Sequence, residues 1–411
     1  MSFDLPDNVQ ALICCGCGYS STDPWQWVCP TCEPEYRMDV VYRDGAAAAL
    51  RGALAGRPFD MWRYREVLPI PRGATLPPLH TGGTPIYEAA RLAQALGVAR
   101  VVLKDEGRNP SASLKDRPSA MGVMLAMASG AERVVCASTG NAASSLACHA
   151  ASVGLPATIF VPRRAPEPKI AQLRVFGAQV FRVDAAYDRT WDLCAEVAAS
   201  QPWFNRNCAV NPYLVEGKKT VALELAEQLG RDMPDWVVLS VGDGCTIAGA
   251  VKGLEEAHSA GLIDAVPRVL GVQAGGASAL VQAARSGEPW RPGPADTLAD
   301  SISVGHARNP HKALAAVARS GGAWVAVSDA DILAAIAETG EVSGVFAEPA
   351  AAAAVAGVST ALAEGILERG SSVAVIISGN GLKDTSAALR AVGGPIDVQP
   401  NVGDVLARLL S

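Results

Sequence analysis

A single lysine stands among small polar residues in Asn109-Pro110-Ser111-Ala112-Ser113-Leu114-Lys115-Asp116-Arg117, just ahead of a helix-like stretch from Pro118 to Ser129. A lysine so placed can be desolvated, which lowers its pKa and frees the amine for imine chemistry. A second loop, Ser138-Thr139-Gly140-Asn141-Ala142, offers small hydroxyl residues and a glycine where a helix should begin, and the N–H groups at such a start suit a carboxylate. In a third, Ser240-Val241-Gly242-Asp243-Gly244-Cys245-Thr246, two glycines let the backbone approach a phosphate ahead of a helix expected to open at Ile247. A fourth, Ser378-Gly379-Asn380-Gly381-Leu382-Lys383-Asp384, presents a hydroxyl fit to face a heterocycle nitrogen. Taken singly, each has an ordinary reading: a surface lysine, a plain N-cap, a tight turn and a glycine turn.

The elements that must position these loops are legible in the pattern around them. From about residue 80, short β-branched runs alternate with alanine-rich segments of helical period, the signature of βα units on a parallel sheet. Val101–Leu103, Arg133–Cys136, Ala157–Val161, Gln179–Val183, Trp236–Ser240, Val269–Val272 and Val373–Ile377 read as buried strands. Ligands gather at the carboxyl ends of such strands, where loops lead into helix N-termini. Pro349 at the start of the run Ala350 to Ala354 marks that run as an ordinary helix rather than low complexity.

Cysteine usage divides the chain. Cys14-x-x-Cys17 and Cys29-x-x-Cys32 form two knuckles able to close a tetrahedron of thiolates around a structural zinc, with Cys15 left over. The loop between the knuckles is shorter than usual, so a metal-free ribbon is the alternative. Cys136, Cys148, Cys194, Cys208 and Cys245 sit among apolar neighbours and read as buried thiols of a reducing compartment. The histidines His80, His149, His258, His306 and His311 show no ligand spacing; His306 alone is expected near the cleft.

At 411 residues the chain suits two lobes and a small appendage. The net charge of −6, with no basic run, argues against a nucleic-acid or anionic-membrane partner. No apolar stretch is long enough to span a bilayer, and Met-Ser-Phe-Asp-Leu-Pro lacks a signal-peptide pattern, so a cytoplasmic protein is expected.

In this order, the four loops resemble those of pyridoxal-phosphate (PLP) enzymes of the tryptophan-synthase-β type, fold type II, and most of all the threonine synthase family. Met61-Trp62-Arg63-Tyr64, Gly82-Gly83-Thr84-Pro85, Asn211-Pro212-Tyr213, Gly217-Lys218-Lys219-Thr220, Glu348-Pro349-Ala350 and Gly381-Leu382-Lys383-Asp384 extend the likeness over roughly residues 12 to 390. The resemblance implies an α/β fold of two lobes, each a mainly parallel twisted sheet flanked by helices. Residues 1–45 would be a zinc-ribbon-like segment, 46–108 and 221–400 the large PLP-binding lobe, and 109–220 a smaller lobe carrying Lys115 and the Ser138–Asn141 loop.

It also implies roles. Lys115 would hold PLP as a Schiff base and shuttle protons, and Asn141 would bond the phenolic oxygen. Ser138, Thr139, Gly140 and Asn141 would take the substrate carboxylate. Gly242, Asp243, Gly244, Cys245 and Thr246 would cup the phosphate, and Ser378 would face the pyridine nitrogen without fully protonating it. The implied reaction converts O-phospho-L-homoserine and water to L-threonine and phosphate, and a homodimer is expected.

The likeness has departures. The family's Asn-Ser-x-Asn-Pro-Tyr-Arg segment, whose Ser and Arg help hold the substrate phosphate, has Ala209 and Leu214 at those two places here. Lys218 stands where Gln is usual, Asp243 where Asn is common, Ala142 where Thr or Ser ends the carboxylate motif, and Asn380 where His is usual. Lys104, Arg117, Arg308 and Lys218 are the candidates to replace the lost phosphate contacts, and the Asp243 side chain is expected to point away. Two alternatives therefore stand beside threonine synthase: a paralogue catalysing β-elimination or β/γ-replacement on another activated amino acid, and a catalytically silent PLP-binding protein.

Overall fold

The β-branched runs and alanine-rich segments build two separate sheets in the computed structural model, which describes residues 3–409 except 164, 166, 186 and 208. Cys208 thus lies outside the described residues. β1 (Val9–Cys14) pairs antiparallel with β2 (Ser20–Ser21) and β3 (Met38–Tyr42) in a small sheet of its own. β4 (Ile86–Glu88) and β5 (Arg100–Asp105) belong to a six-stranded sheet. β6 (Arg133–Ala137), β7 (Ala157–Pro162), β8 (Gln179–Val183) and β9 (Trp203–Asn205) make a four-stranded parallel sheet in the order β8-β7-β6-β9. β10 (Trp236–Ser240), β11 (Arg268–Ala274), β12 (Ala323–Val327) and β13 (Ser372–Ile377) complete the six-stranded sheet, ordered β12-β11-β10-β13-β5-β4. Within it β4 runs antiparallel to β5 and the other pairings are parallel.

Parallel strands covered on both faces need continuous apolar runs, and Val101–Leu103, Val237–Leu239 and Val373–Ile377 are almost fully buried. The alanine run is the thin layer on the six-stranded sheet: the helix Pro349–Ala363 starts with proline in its first turn and buries Ala350 to Ala354. Its small side chains allow close approach, and a Cβ on Gly357 would stand 2.3 Å from Val272.

Helix Asp116–Ala128 is held at its start by a fully buried ionic network. Arg117 donates to Glu106 at 2.6 and 2.8 Å, to Glu224 at 2.7 Å twice, and to Thr220 at 2.9 Å. Lys104 donates to Glu224 at 2.9 Å and to the Thr84 carbonyl at 2.7 Å. Glu224 in turn accepts from the Gly83 amide at 2.9 Å, which fixes the Gly82–Pro85 turn. Lys104 and Arg117 are therefore spent on the core and are not free to receive a phosphate. Their pairing explains how two cations tolerate complete burial.

Burial would raise the Glu224 carboxyl, but Arg117 and Lys104 outweigh it and hold it at about 2, against an ordinary 4.5. The folded pKa lies below the unfolded one, so this carboxylate stabilises the fold above about pH 4.5 and the contribution disappears as pH falls toward 2. Glu224→Gln is expected to cost about 3–5 kcal/mol in denaturant unfolding at neutral pH, because it leaves buried Lys104 without a carboxylate partner and buried Arg117 with Glu106 alone. The deficit relative to wild type should shrink on acidification through that window.

Candidate active site

Because β10, β13 and β5 are neighbours, the loops leaving their carboxyl ends converge. The loop before Lys115 is pinned to the segment after β13: Leu114 N–H donates to the Ser378 carbonyl at 2.8 Å, and Asn380 N–H donates to the Ala112 carbonyl at 3.1 Å. Ala112 adopts φ +63°, the left-handed region that a side chain disfavours, to make this turn. Asp116 steadies the other side, accepting from the Ser111 amide and hydroxyl at 3.0 and 2.9 Å and lying 3.1 Å from His149 Nε2.

The result is a cleft of about 550 Å³ lined by Lys115, Lys218, Gly242, Thr246, Glu348 and Ser378. Asp243, Gly244 and Cys245 line the same wall. The helix Cys245–Ser259 opens there with no capping side chain, so its first-turn N–H groups and its dipole favour an anion. It begins two residues before the expected Ile247. Gly244 has φ +85°, and a Cβ on it would stand 2.7 Å from the Asn309 carbonyl. Asp243 Oδ1 accepts from the Arg308 backbone N–H at 3.2 Å and its carbonyl accepts from Asn309 N–H at 2.9 Å, so this carboxylate anchors the loop.

An adjoining cavity of about 410 Å³ is lined by Thr139, Gly140, Asn141, Lys169, Asp300 and Lys383. Ser138 stands behind it, its Oγ accepting from the Gly140 N–H at 3.1 Å. The helix Asn141–Ser152 again starts without a capping side chain. Lys169 pairs with Asp300 across the mouth, and Lys383, whose pKa is lowered by burial, donates to Ser144 Oγ at 3.1 Å. Between the two cavities lies Glu348, which accepts from Asn141 Nδ2 at 2.8 Å and from Ser378 Oγ at 3.1 Å.

Several residues singled out in the sequence lie elsewhere. Leu214 is buried, its Cδ2 3.1 Å from where a Cβ on Gly122 would stand, and Ala209 packs with Val215 and Cys245. Arg308 stacks over the Trp191 ring. His306 pairs with Glu35 at 2.8 Å and packs on Trp290. Asn380 closes the turn that follows it, accepting from Leu382 N–H at 3.0 Å. Conversely, Glu348, Asp116 and His149 had no assigned part in the sequence reading. The signal for Glu348 was its place directly before Pro349 at the end of a glycine-facing loop.

Away from the clefts, the Sγ atoms of Cys14, Cys17, Cys29 and Cys32 lie within 4.8 Å of one another. Cys17 and Cys29 are 3.6 Å apart, near the ~3.8 Å edge of a tetrahedron with Zn–S bonds of about 2.3 Å. Cys15 is not among the four.

A lysine, an uncapped helix start with a glycine that excludes a side chain, and facing amide and hydroxyl groups form a donor set that fits a phosphorylated pyridine aldehyde. Residues 78–379 match the family of pyridoxal-phosphate dependent enzymes. The chain is 35% identical to the threonine synthase of Methanocaldococcus jannaschii over 98% of its own length and 99% of that protein's. It is 38% identical to the threonine synthase of Mycobacterium bovis over 82% of this chain and 92% of that one. The chain belongs to the threonine synthase family of pyridoxal-phosphate-dependent enzymes, which sets aside the catalytically silent reading. Its fold matches threonine deaminase isoform 2 from Solanum lycopersicum with a TM-score of 0.64 at 22% identity, over 75% of this chain and 87% of that one. It also matches diaminopropionate ammonia lyase from Escherichia coli with a TM-score of 0.65 at 17% identity, over 85% and 92%.

Gly244→Ala forces a Cβ onto the Asn309 carbonyl and a side chain into φ +85°. Retention of PLP, followed by absorbance titration of the purified chain, is expected to weaken at least about tenfold, the equivalent of about 1.4 kcal/mol.

Proposed function

We propose that the chain converts O-phospho-L-homoserine and water to L-threonine and phosphate. The observation that carries this reading is the identity to threonine synthases along nearly the whole chain, together with a cleft that gathers Lys115, Ser378 and the Gly242–Thr246 helix start.

When bound, PLP supplies an electron sink for negative charge developing beside the substrate's α-carbon. In this reading the Lys115 amine holds the cofactor covalently and then moves protons at the α- and β-carbons. Gly242, Gly244 and the amides of Cys245 and Thr246 hold the cofactor phosphate, with Asp243 bracing the loop from behind. The Asn141 amide would donate to the phenolic oxygen and the Ser378 hydroxyl would face the ring nitrogen. Ser138 takes the Gly140 N–H and so shapes the turn, leaving Thr139 and the Asn141 N–H to meet the substrate carboxylate beside Gly140. Lys218, in the same cleft as Lys115, contributes positive charge on the substrate side.

A second reading, β-elimination or β/γ-replacement on another activated amino acid, is favoured by Leu214 and Ala209. A buried leucine cannot replace charge-assisted phosphate bonds worth about 1.5–3 kcal/mol each. The two readings part in one assay. The first expects equimolar phosphate and threonine from O-phosphohomoserine. Inertness toward it, with turnover of O-phosphoserine, O-acetylserine or serine, establishes the second.

The same proposal includes a cytoplasmic homodimer, with residues 1–45 as a ribbon, 46–108 and 221–400 as the PLP lobe, and 109–220 as the smaller lobe. Among the described residues no helix is long and apolar enough to cross a membrane. Cys14, Cys17, Cys29 and Cys32 would hold one structural zinc, four sulfurs leaving no open position for catalysis. Metal analysis should find about one zinc per chain, lost in the Cys17→Ser, Cys29→Ser double variant; full retention there rules the site out.

Reduction of the holoenzyme with borohydride should fix the cofactor on the peptide containing Lys115 and bleach its visible absorbance. Lys115→Ala should show neither effect and lose turnover by several orders of magnitude. Modification at another lysine would overturn the assignment.

A further inference from the structure

Arg206 follows β9 directly and is 1% exposed, yet among the described residues no carboxylate pairs with it. Its Nε donates to Ser119 Oγ at 3.1 Å, and its Nη2 makes no hydrogen bond. A guanidinium cannot shed its charge, and leaving buried donors unused is costly. Arg117, equally buried, shows what the fold normally provides: two carboxylates in full contact. The anion that Arg206 requires is therefore sought outside the chain.

The direction of the side chain says where. Its Cγ lies 3.7 Å from the point where a Cβ on Gly122 would stand, and its Nε reaches Ser119. The side chain thus runs along the helix Asp116–Ala128 toward the end that carries Lys115. Ser119 Oγ in turn pairs with Ser145 Oγ at 2.7 Å. Ser119 is one turn beyond Lys115, and Ser145 one turn beyond Asn141, a depth of about 6 Å along each helix axis. Arg206 so approaches the site from beneath both cofactor-facing helices.

Leu214, at the place where the family carries its phosphate-binding arginine, points at the same glycine: its Cδ2 is 3.1 Å from that Gly122 position. The position that lost a guanidinium and the position that holds an unpaired one converge on one spot. We infer that Arg206 is this chain's cationic ligand for the anionic leaving group of its substrate, a phosphate monoester. The inference rests on the proposed reading that the substrate carries such a group, and it makes Arg206 a specificity-determining residue.

The test uses the holoenzyme with O-phospho-L-homoserine as substrate and inorganic phosphate as the anion probe. In Arg206→Met, KM for O-phosphohomoserine should rise at least about tenfold, and inhibition by inorganic phosphate should weaken by a similar factor. Binding of L-threonine, which has no phosphate and is read from cofactor absorbance, should change less than about twofold, a split that a merely structural defect would not give. Arg206→Lys, which keeps the charge but loses the fork, should fall between. Adding Leu214→Arg to Arg206→Met should recover phosphate binding.

Unchanged KM and unchanged phosphate inhibition in a folded Arg206→Met would overturn the inference. Should that variant not fold, the same result in Arg206→Lys overturns it. If wild type ignores O-phosphohomoserine while phosphate still competes with L-threonine in an Arg206-dependent way, the substrate reading fails and the anion site stands. If phosphate does not compete in wild type, the anion site fails.

Discussion

The hydrogen bond from Leu114 N–H to the Ser378 carbonyl is the constraint on which the site depends. It joins the lysine loop to the end of the central strand β13, so the ε-amine and the hydroxyl that would face a heterocycle are set by one backbone contact rather than by two long side chains. Ser113 and Gly379 form an isolated bridge beside it, and the left-handed Ala112 is the local strain that this pairing imposes. A buried ionic network then fixes Arg117, two residues on, from the opposite side. Lys115 is thereby held between a sheet edge and a core that cannot yield without exposing charge to a low dielectric.

Much of this was legible in the sequence because it rests on local pattern. The seven apolar runs all fall in strands, and six are buried because parallel strands covered on both faces need unbroken apolar residues; Gln179–Val183, expected to be buried, is instead the largely exposed edge strand β8, and Pro349 marks its helix start. β12 was missed because Ala-Trp-Val-Ala-Val is rich in alanine, which elsewhere in this chain marks helices. β4 and β9 span three residues each, too few for a period to register. Each strand-end loop alone would pass for a cap or a turn, and the loops were legible because four of them occur together in one order.

What the sequence hid was partnership over long separation. Lys104 and Arg117 looked available to a ligand, whereas Glu224, more than a hundred residues away, claims both. Asp243 looked wrong in a phosphate loop, because its partner is a backbone amide that no side-chain pattern announces. His149 and Asp116 carry no motif, yet their contact braces the turn before Lys115. In each case a residue type was readable and its direction was not, since direction depends on which strands become neighbours.

Glu348 shows why direction decides the chemistry. A carboxylate only accepts hydrogen bonds, so it fixes the Asn141 amide with its NH₂ group inward and takes the single proton of Ser378. Asn141 belongs to a helix of the four-stranded sheet, Ser378 to the end of the six-stranded one, and Glu348 precedes the alanine helix packed against the latter. One acceptor therefore ties both sheets at the point where a ring must enter. The second N–H of Asn141 reaches Ser301 Oγ at 3.4 Å, a long contact that a phenolic oxygen would have to displace, and the Ser378 hydroxyl would have to release Glu348 before it could donate to a ring nitrogen. Otherwise the nitrogen must bring its own proton. In the proposed reading the hydrogen bonding of a bound cofactor would depend on how Glu348 divides its two oxygens between Asn141 and Ser378, a property of the packed fold rather than of any one loop.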